Sequence, residues 1–334
     1  MKLNVEQFEL GAGGRGTKIS LALEADIGLE QALTFPVLQV IGAKEGRTLL
    51  ILSSVHGDEY EGVETVLRVY AELDPALMTG TVVLVPLANP LAYAVESRIS
   101  PEDGVNMARA FPGNPHGTPT ERIADYLHRR FIAKADFLLD LHSGGTHYAV
   151  CSLVGYYDNE QSEVGRSSRA AAEAFGAELL WAHDRIAPGR TVSSALDLGV
   201  PWLYTEAYGG KRIRRKDAEL FLAGTYRVMR HMGVLPQQAL ASEAEPPRRV
   251  RRIGGDGNFD GSETAEEDGF FLPTARLGDE LTAGQTIGSI RSLDGRELQR
   301  VEASRDGLLV MLRGTPTVKR GEALFLIAPL LGGR

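Results

Sequence analysis

His56, Glu59 and His142 could give a single metal ion two imidazoles and one carboxylate. His56 and Glu59 lie three residues apart in Ser53-Ser54-Val55-His56-Gly57-Asp58-Glu59. The apolar run Thr48-Leu49-Leu50-Ile51-Leu52 just before them reads as a buried strand. The pair therefore sits at a strand end, where a turn entering a helix can point both side chains the same way. His142 follows a second such run, Phe137-Leu138-Leu139-Asp140-Leu141, and precedes Ser143-Gly144-Gly145. Two strand ends of one sheet thus converge on one point. A two-histidine, one-carboxylate set leaves a position of zinc open to water, and zinc in such a site lowers the pKa of that water to roughly 7. The expected cofactor is one Zn2+ per chain. The H-x-x-E spacing alone recurs by chance, and its weight comes from the matching second strand end.

The elements that must position these residues alternate along the chain. Val37 to Ile41, Leu49 to Val55, Thr81 to Pro86, Phe137 to Leu141 and Trp202 to Glu206 read as strands. Gly62 to Leu73, Thr118 to Lys134, Ser167 to Phe175 and Asp217 to Met232 read as helices. Thr118-Pro119-Thr120-Glu121 carries a cap, a first-turn proline and a Glu, which together mark a helix start. The pattern predicts an α/β fold with a mostly parallel or mixed sheet flanked by helices, whose sites gather beyond the carboxyl ends of strands. His56, His142 and Glu206 all fall at such ends.

Proline, glutamate and small residues break the pattern between residues 236 and 250, so residues 1–245 read as the α/β domain and 246–334 as a second one. The second stretch is glycine-punctuated and internally repeated. A unit from Asp268-Gly269 to Ile290 is matched by one from Asp306-Gly307 to Ile327, with corresponding glycines 15 and 14 positions apart. It resembles the half-barrel repeat of biotinyl and lipoyl carrier domains. The hairpin where those domains carry a modified lysine is here Ser292-Leu293-Asp294-Gly295-Arg296, so the expectation is a structural, all-β barrel packed near the site mouth or against another subunit.

His56-Gly57-Asp58-Glu59, Asn89-Pro90, Arg98, Asn106 to Gly113, Asp140-Leu141-His142-Ser143-Gly144 and Glu206, in that order, resemble the succinylglutamate desuccinylase and aspartoacylase family. That family is a branch of the zinc carboxypeptidase fold. The resemblance implies that Glu206 is the base that takes a proton from water and delivers it to the departing amine, and that Arg98 polarises the scissile carbonyl. It also implies that Arg109 holds a substrate carboxylate in a two-pronged grip, with Asn106 as a further substrate-binding candidate. Asn89, in Ala88-Asn89-Pro90, either contacts substrate, orients nearby loop backbone or forms the turn. Here the chain departs from the family. Ala108 stands where an Asn usually precedes that arginine. Ser100-Pro101-Glu102-Asp103-Gly104, Phe111-Pro112-Gly113 and the appended barrel look most like the N-acetyl-diaminobutyrate deacetylases within the family.

These features point to a zinc-dependent amidohydrolase that removes a small acyl group from an N-acyl amino acid or related small amide. A metallocarboxypeptidase acting on short peptides and a catalytically inactive binding protein on the same fold are the alternatives. A net charge of −8 argues against nucleic acid as a partner. The single cysteine, Cys151, excludes an intrachain disulfide and reads as a small buried hydrophobe. With no apolar run long enough for a signal peptide or a membrane span, the expectation is a cytoplasmic protein, with a homo-oligomer left open. His116 and His147 read as loop residues beside the site, and His128, His183 and His231 form no constellation.

Overall fold

The computed structural model describes residues 2–237 and 249–332. The expected domain boundary at 245/246 lies outside the described residues.

At the centre, Lys44–Ser53 runs parallel to Thr79–Val85 on one side and to Phe137–Ser143 on the other. Trp202–Ala207 continues the sheet parallel to Phe137–Ser143. Beyond it, Leu153–Tyr157 is antiparallel to Trp202–Ala207, and Leu179–His183 is parallel to Leu153–Tyr157. On the opposite flank, Leu33–Ile41 is antiparallel to both Thr79–Val85 and Thr17–Ala25. Among the described residues these strands belong to an eleven-stranded sheet, mixed as the alternation of elements predicts.

The central strands are apolar on both faces because both are covered. Side chains alternate along a strand. Leu49 and Ile51 therefore enter a core built with helices Glu61–Glu72, Glu163–Phe175 and Arg215–His231. Leu50 and Leu52 enter the opposite core, built with Pro119–Tyr126 and Thr191–Asp197. The helix expected over Thr118 to Lys134 does not run through. After the capping box at Thr118, α-helix extends to Tyr126, widens to a π turn over Leu127–Phe131, and ends as a 3-10 turn at Ile132–Lys134. Leu127, Phe131 and Ile132, in and just after the widened turn, are all fully buried.

The C-terminal part forms two further antiparallel sheets around a core that includes Phe271, Ile287, Ile290, Leu309, Leu324 and Phe325. The repeat read in the sequence is visible as an exchange. Gly269–Pro273 of the first unit pairs with Thr317–Val318 of the second, and Gly307–Arg313 of the second pairs with Glu280–Leu281 of the first. This part is also stitched into the α/β layer. Arg251–Ile253 pairs with Leu179–His183, Leu330–Leu331 closes the sheet edge, and Gly307–Arg313 takes up Tyr148–Val150 as a neighbour. Leu153, Leu179, Trp181, Ile253, Leu308 and Val310 share one buried cluster across the seam. Cys151 lies beside that cluster, its thiol pushed up to about 12 by burial.

Candidate active site

The strand Lys44–Ser53 ends in a sharp turn. Ser54 takes a left-handed φ of 54°, a conformation costly for a residue with a side chain and typical of sites where geometry is imposed. Gly57 follows, where an added Cβ would fall 2.1 Å from the Ala92 carbonyl carbon, so only glycine lets the loop pass. The turn delivers His56 and Glu59 together, just before helix Glu61–Glu72. His142 arrives from Phe137–Ser143.

His56 Nδ1 lies 2.7 Å from Glu59 Oε1, and His142 Nδ1 lies 3.0 Å from Glu59 Oε2. The other nitrogen of each ring fixes the tautomer. His142 Nε2 donates to Asp140 Oδ2 (2.9 Å), and His56 Nε2 donates to Asn106 Oδ1 (3.1 Å), an oxygen that also accepts from the Ala108 N–H. In the neutral rings both Nδ1 lone pairs then face carboxylate oxygens, acceptor against acceptor. Such a contact requires a cation between the groups, either a proton or a metal ion. One ligand atom from each of the three residues lies within 4.8 Å of the others, and all three side chains are largely buried. The donor set and its outer hydrogen bonds therefore fit zinc. Burial alone would raise the Glu59 pKa, but the two imidazoles hold it well below the usual carboxylate range. Burial opposes charge on His142, yet Asp140 and Glu59 carry its pKa well above the ordinary value.

Glu206 stands in register with His142 on the neighbouring parallel strand. Burial, and next the charge of Glu59, push its pKa up to about 8. Arg98 donates from NH1 to Glu59 Oε1 at 3.2 Å. Asn106 is a positioning residue, through His56. Asn89 is fully buried, its Oδ1 accepting from Ala92 N and its amide facing the Val55 carbonyl. It shapes the loop behind His56 and is not among the residues lining the cleft. His116 and His147 are exposed and supply no fourth ligand.

A cleft of roughly 580 Å³, its mouth included, opens over His56, Arg98, His142 and Glu206. A second lobe shares His56, Arg98, Glu206 and Phe259 and is lined further by Ser143, Tyr148, Met311 and Ala323. The first lobe contains residues that the sequence did not announce. His183 is buried there, its Nδ1 donating to the Gly255 carbonyl (2.7 Å) and its Nε2 lying 2.9 Å from the Tyr204 hydroxyl; burial lowers its pKa to about 4. The expectation that His183 joins no constellation is thus corrected. Arg190, at the start of helix Thr191–Asp197, also lines this lobe. So do Asp256 and Gly257 of the C-terminal part. Arg109 lines it too, but its guanidinium edge is filled by Asp260 (Nε to Oδ2 2.7 Å, NH2 to Oδ1 2.9 Å).

A model of the succinylglutamate desuccinylase/aspartoacylase catalytic domain matches residues 45–232. The chain belongs to the succinylglutamate desuccinylase/aspartoacylase family. It is 29% identical over 316 residues to the N-alpha-acetyl-L-2,4-diaminobutyric acid deacetylase of Halomonas elongata, with 94% of this chain and 91% of that protein covered. A succinylglutamate desuccinylase/aspartoacylase from Rhodobacter sphaeroides superposes with a TM-score of 0.83 at 26% identity, covering 94% of this chain and 96% of that one. The product-bound ectoine utilization protein EutE (DoeB) from Ruegeria pomeroyi gives 0.81 at 27% identity, covering 93% and 94%. Among the described residues of this family member, no helix is long and apolar enough to cross a membrane.

Proposed function

We propose that this protein is a zinc-dependent amidohydrolase that removes a small acyl group from an N-acyl amino acid. The observation that carries the reading is the pair of histidine lone pairs aimed at Glu59, with Glu206 in register beside them. His56, Glu59 and His142 would hold one zinc ion, which supplies Lewis acidity and acidifies water in an otherwise neutral solution. Glu206 takes the proton of the attacking water and passes it to the nitrogen as the C–N bond breaks. Burial, and next the charge of Glu59, raise its pKa; a positive ion beside Glu59 would favour the carboxylate form that a base requires. Arg98 places a guanidinium where charge grows on the acyl oxygen.

The second lobe, lined in part by Val150, Met311 and Ala323, suits the acyl group, and the first lobe, with its arginines and Asp256, suits the amino-acid part. The diaminobutyric acid derivative named for the Halomonas relative is the candidate substrate. Asp256, Gly257 and Phe259 line the cleft from the C-terminal part, an arrangement that favours small substrates over peptides lying along a groove. The test is release of acetate from N-alpha-acetyl-L-2,4-diaminobutyrate and a panel of N-acyl amino acids and short peptides by the zinc-loaded protein. Turnover of the peptides alone would replace this reading with a carboxypeptidase.

A further inference from the structure

The first lobe carries two guanidiniums in unequal states. Arg109 is fully engaged: Nε and NH2 form a fork on the Asp260 carboxylate, and NH1 donates to the Ala108 carbonyl at 2.7 Å. Arg190 donates from NH2 to the Asn258 side-chain oxygen at 2.7 Å and has no carboxylate ion-pair partner among the described residues. Burial, and next the like charge of Arg109, lower its pKa from the ordinary arginine value. One turn of the C-terminal part reaches both arginines. Asn258 caps Phe259–Gly261 and receives Arg190, and Asp260 within that turn takes Arg109. Asp256, two residues before Asn258, adds a further negative charge to the same lobe.

We propose that Asp260 is a specificity-determining residue that occupies the fork of Arg109 and leaves Arg190 as the receiver of a substrate carboxylate. The proposal rests on the amidohydrolase reading above. A bidentate guanidinium–carboxylate pair is strong and geometrically exclusive. A second carboxylate on the substrate would have to displace Asp260 and would then face that displaced charge together with Asp256. The cleft therefore selects N-acyl amino acids whose amine part carries one carboxylate, and an ammonium group is better tolerated than a second carboxylate.

The experiment compares kcat/KM for N-acetyl-L-2,4-diaminobutyrate and N-acetyl-L-aspartate in the zinc-loaded wild type, Asp260→Asn and Asp260→Glu. Asp260→Asn should shift the ratio toward N-acetyl-aspartate by about tenfold or more, chiefly through KM, because the released Arg109 gains a charged partner. Asp260→Glu keeps the charge and should stay near the wild-type ratio. A ratio that does not move in Asp260→Asn, or that moves equally in Asp260→Glu, overturns the proposal while leaving the amidohydrolase reading intact. Arg190→Gln and Arg109→Gln give an independent arm. On the monocarboxylate substrate, the loss should be at least about tenfold greater for Arg190→Gln. The reverse order would make Arg109 the anchor and refute the assignment. If the wild type turns over neither substrate nor any other N-acyl amino acid, the function reading falls and this proposal with it.

Discussion

At the scale of single residues, the site is a balance of buried charges whose sum calls for a cation. Removing one imidazole should break it. The purified wild type is expected to carry zinc and His142→Ala to have lost it, as read by elemental analysis, and full occupancy in the variant would strike His142 from the set. Glu206→Gln should keep the metal and lose about two to four orders of magnitude in turnover, the range of a general base, since an amide fits the space but carries no proton. Near-normal turnover would remove Glu206 from the chemistry. The same carboxyl contributes to the pH dependence of the metal-free protein. Its folded pKa, about 8, lies above the ordinary 4.5. Between those values the folded form holds a proton that the unfolded form releases, so this group's contribution to stability is fully present below about pH 4.5 and is lost as the pH rises through about 8. In chelator-treated protein, Tm should fall across that window, and the fall should be shallower in Glu206→Gln. Parallel slopes would show that Glu206 does not titrate there. His142, also raised, contributes a fall of the same sign that both proteins share.

At the scale of elements, strand ends and the turns behind them do the positioning. Gly57 passes so close to the backbone of Ala92 and Tyr93 that Gly57→Ala must push the His56 turn away from helix Pro90–Ala94. We expect a loss of about 1–3 kcal/mol in stability, as for other overpacked sites, together with weaker zinc binding. A variant that unfolds at the wild-type denaturant midpoint would show that the loop can yield. His56, Glu59, His142 and Glu206 were legible in the sequence because each follows a continuous apolar run, and a parallel sheet must bring such ends to one edge. Thr17–Ala25 is hard to read from sequence although its burial alternates, because Lys18, Ser20 and Glu24 dilute an edge-side strand. Leu179–His183 is ambiguous in period because Leu-Leu-Trp-Ala-His is short and follows helix Glu163–Phe175 closely, so nothing local places His183 at a strand end. Asp260 was illegible for a different reason: it meets Arg109 across 151 residues, and no local spacing encodes such a pairing.

At the scale of the whole molecule, the C-terminal part is wall and brace at once. It supplies Asp256, Gly257 and Phe259 to the cleft, and Leu308 and Val310 to the core beneath Leu153 and Trp181. A chain ending near Pro246 would uncover several large apolar side chains, each worth about 1.5–3 kcal/mol when buried, against a total stability of only about 5–15 kcal/mol. The truncated protein should aggregate in light scattering, and any soluble fraction should discriminate less between acyl-amino acids and peptides. A monodisperse truncation with unchanged selectivity would make the C-terminal part an independent module. The pairing of Tyr148–Val150 with Gly307–Arg313 also orders events in time. Ribosomes add about 5–20 residues per second, so the roughly 100 residues between Glu206 and Gly307 take on the order of 5 to 20 seconds to appear. Through that interval the nascent chain has already emitted His56, Glu59, His142 and Glu206, while the edge at Tyr148–Val150 waits without its neighbour. Unpaired edges recruit other chains. The growing polypeptide thus completes its candidate metal site before it has the wall that decides what reaches it, and through those seconds its open edge is exposed to other chains.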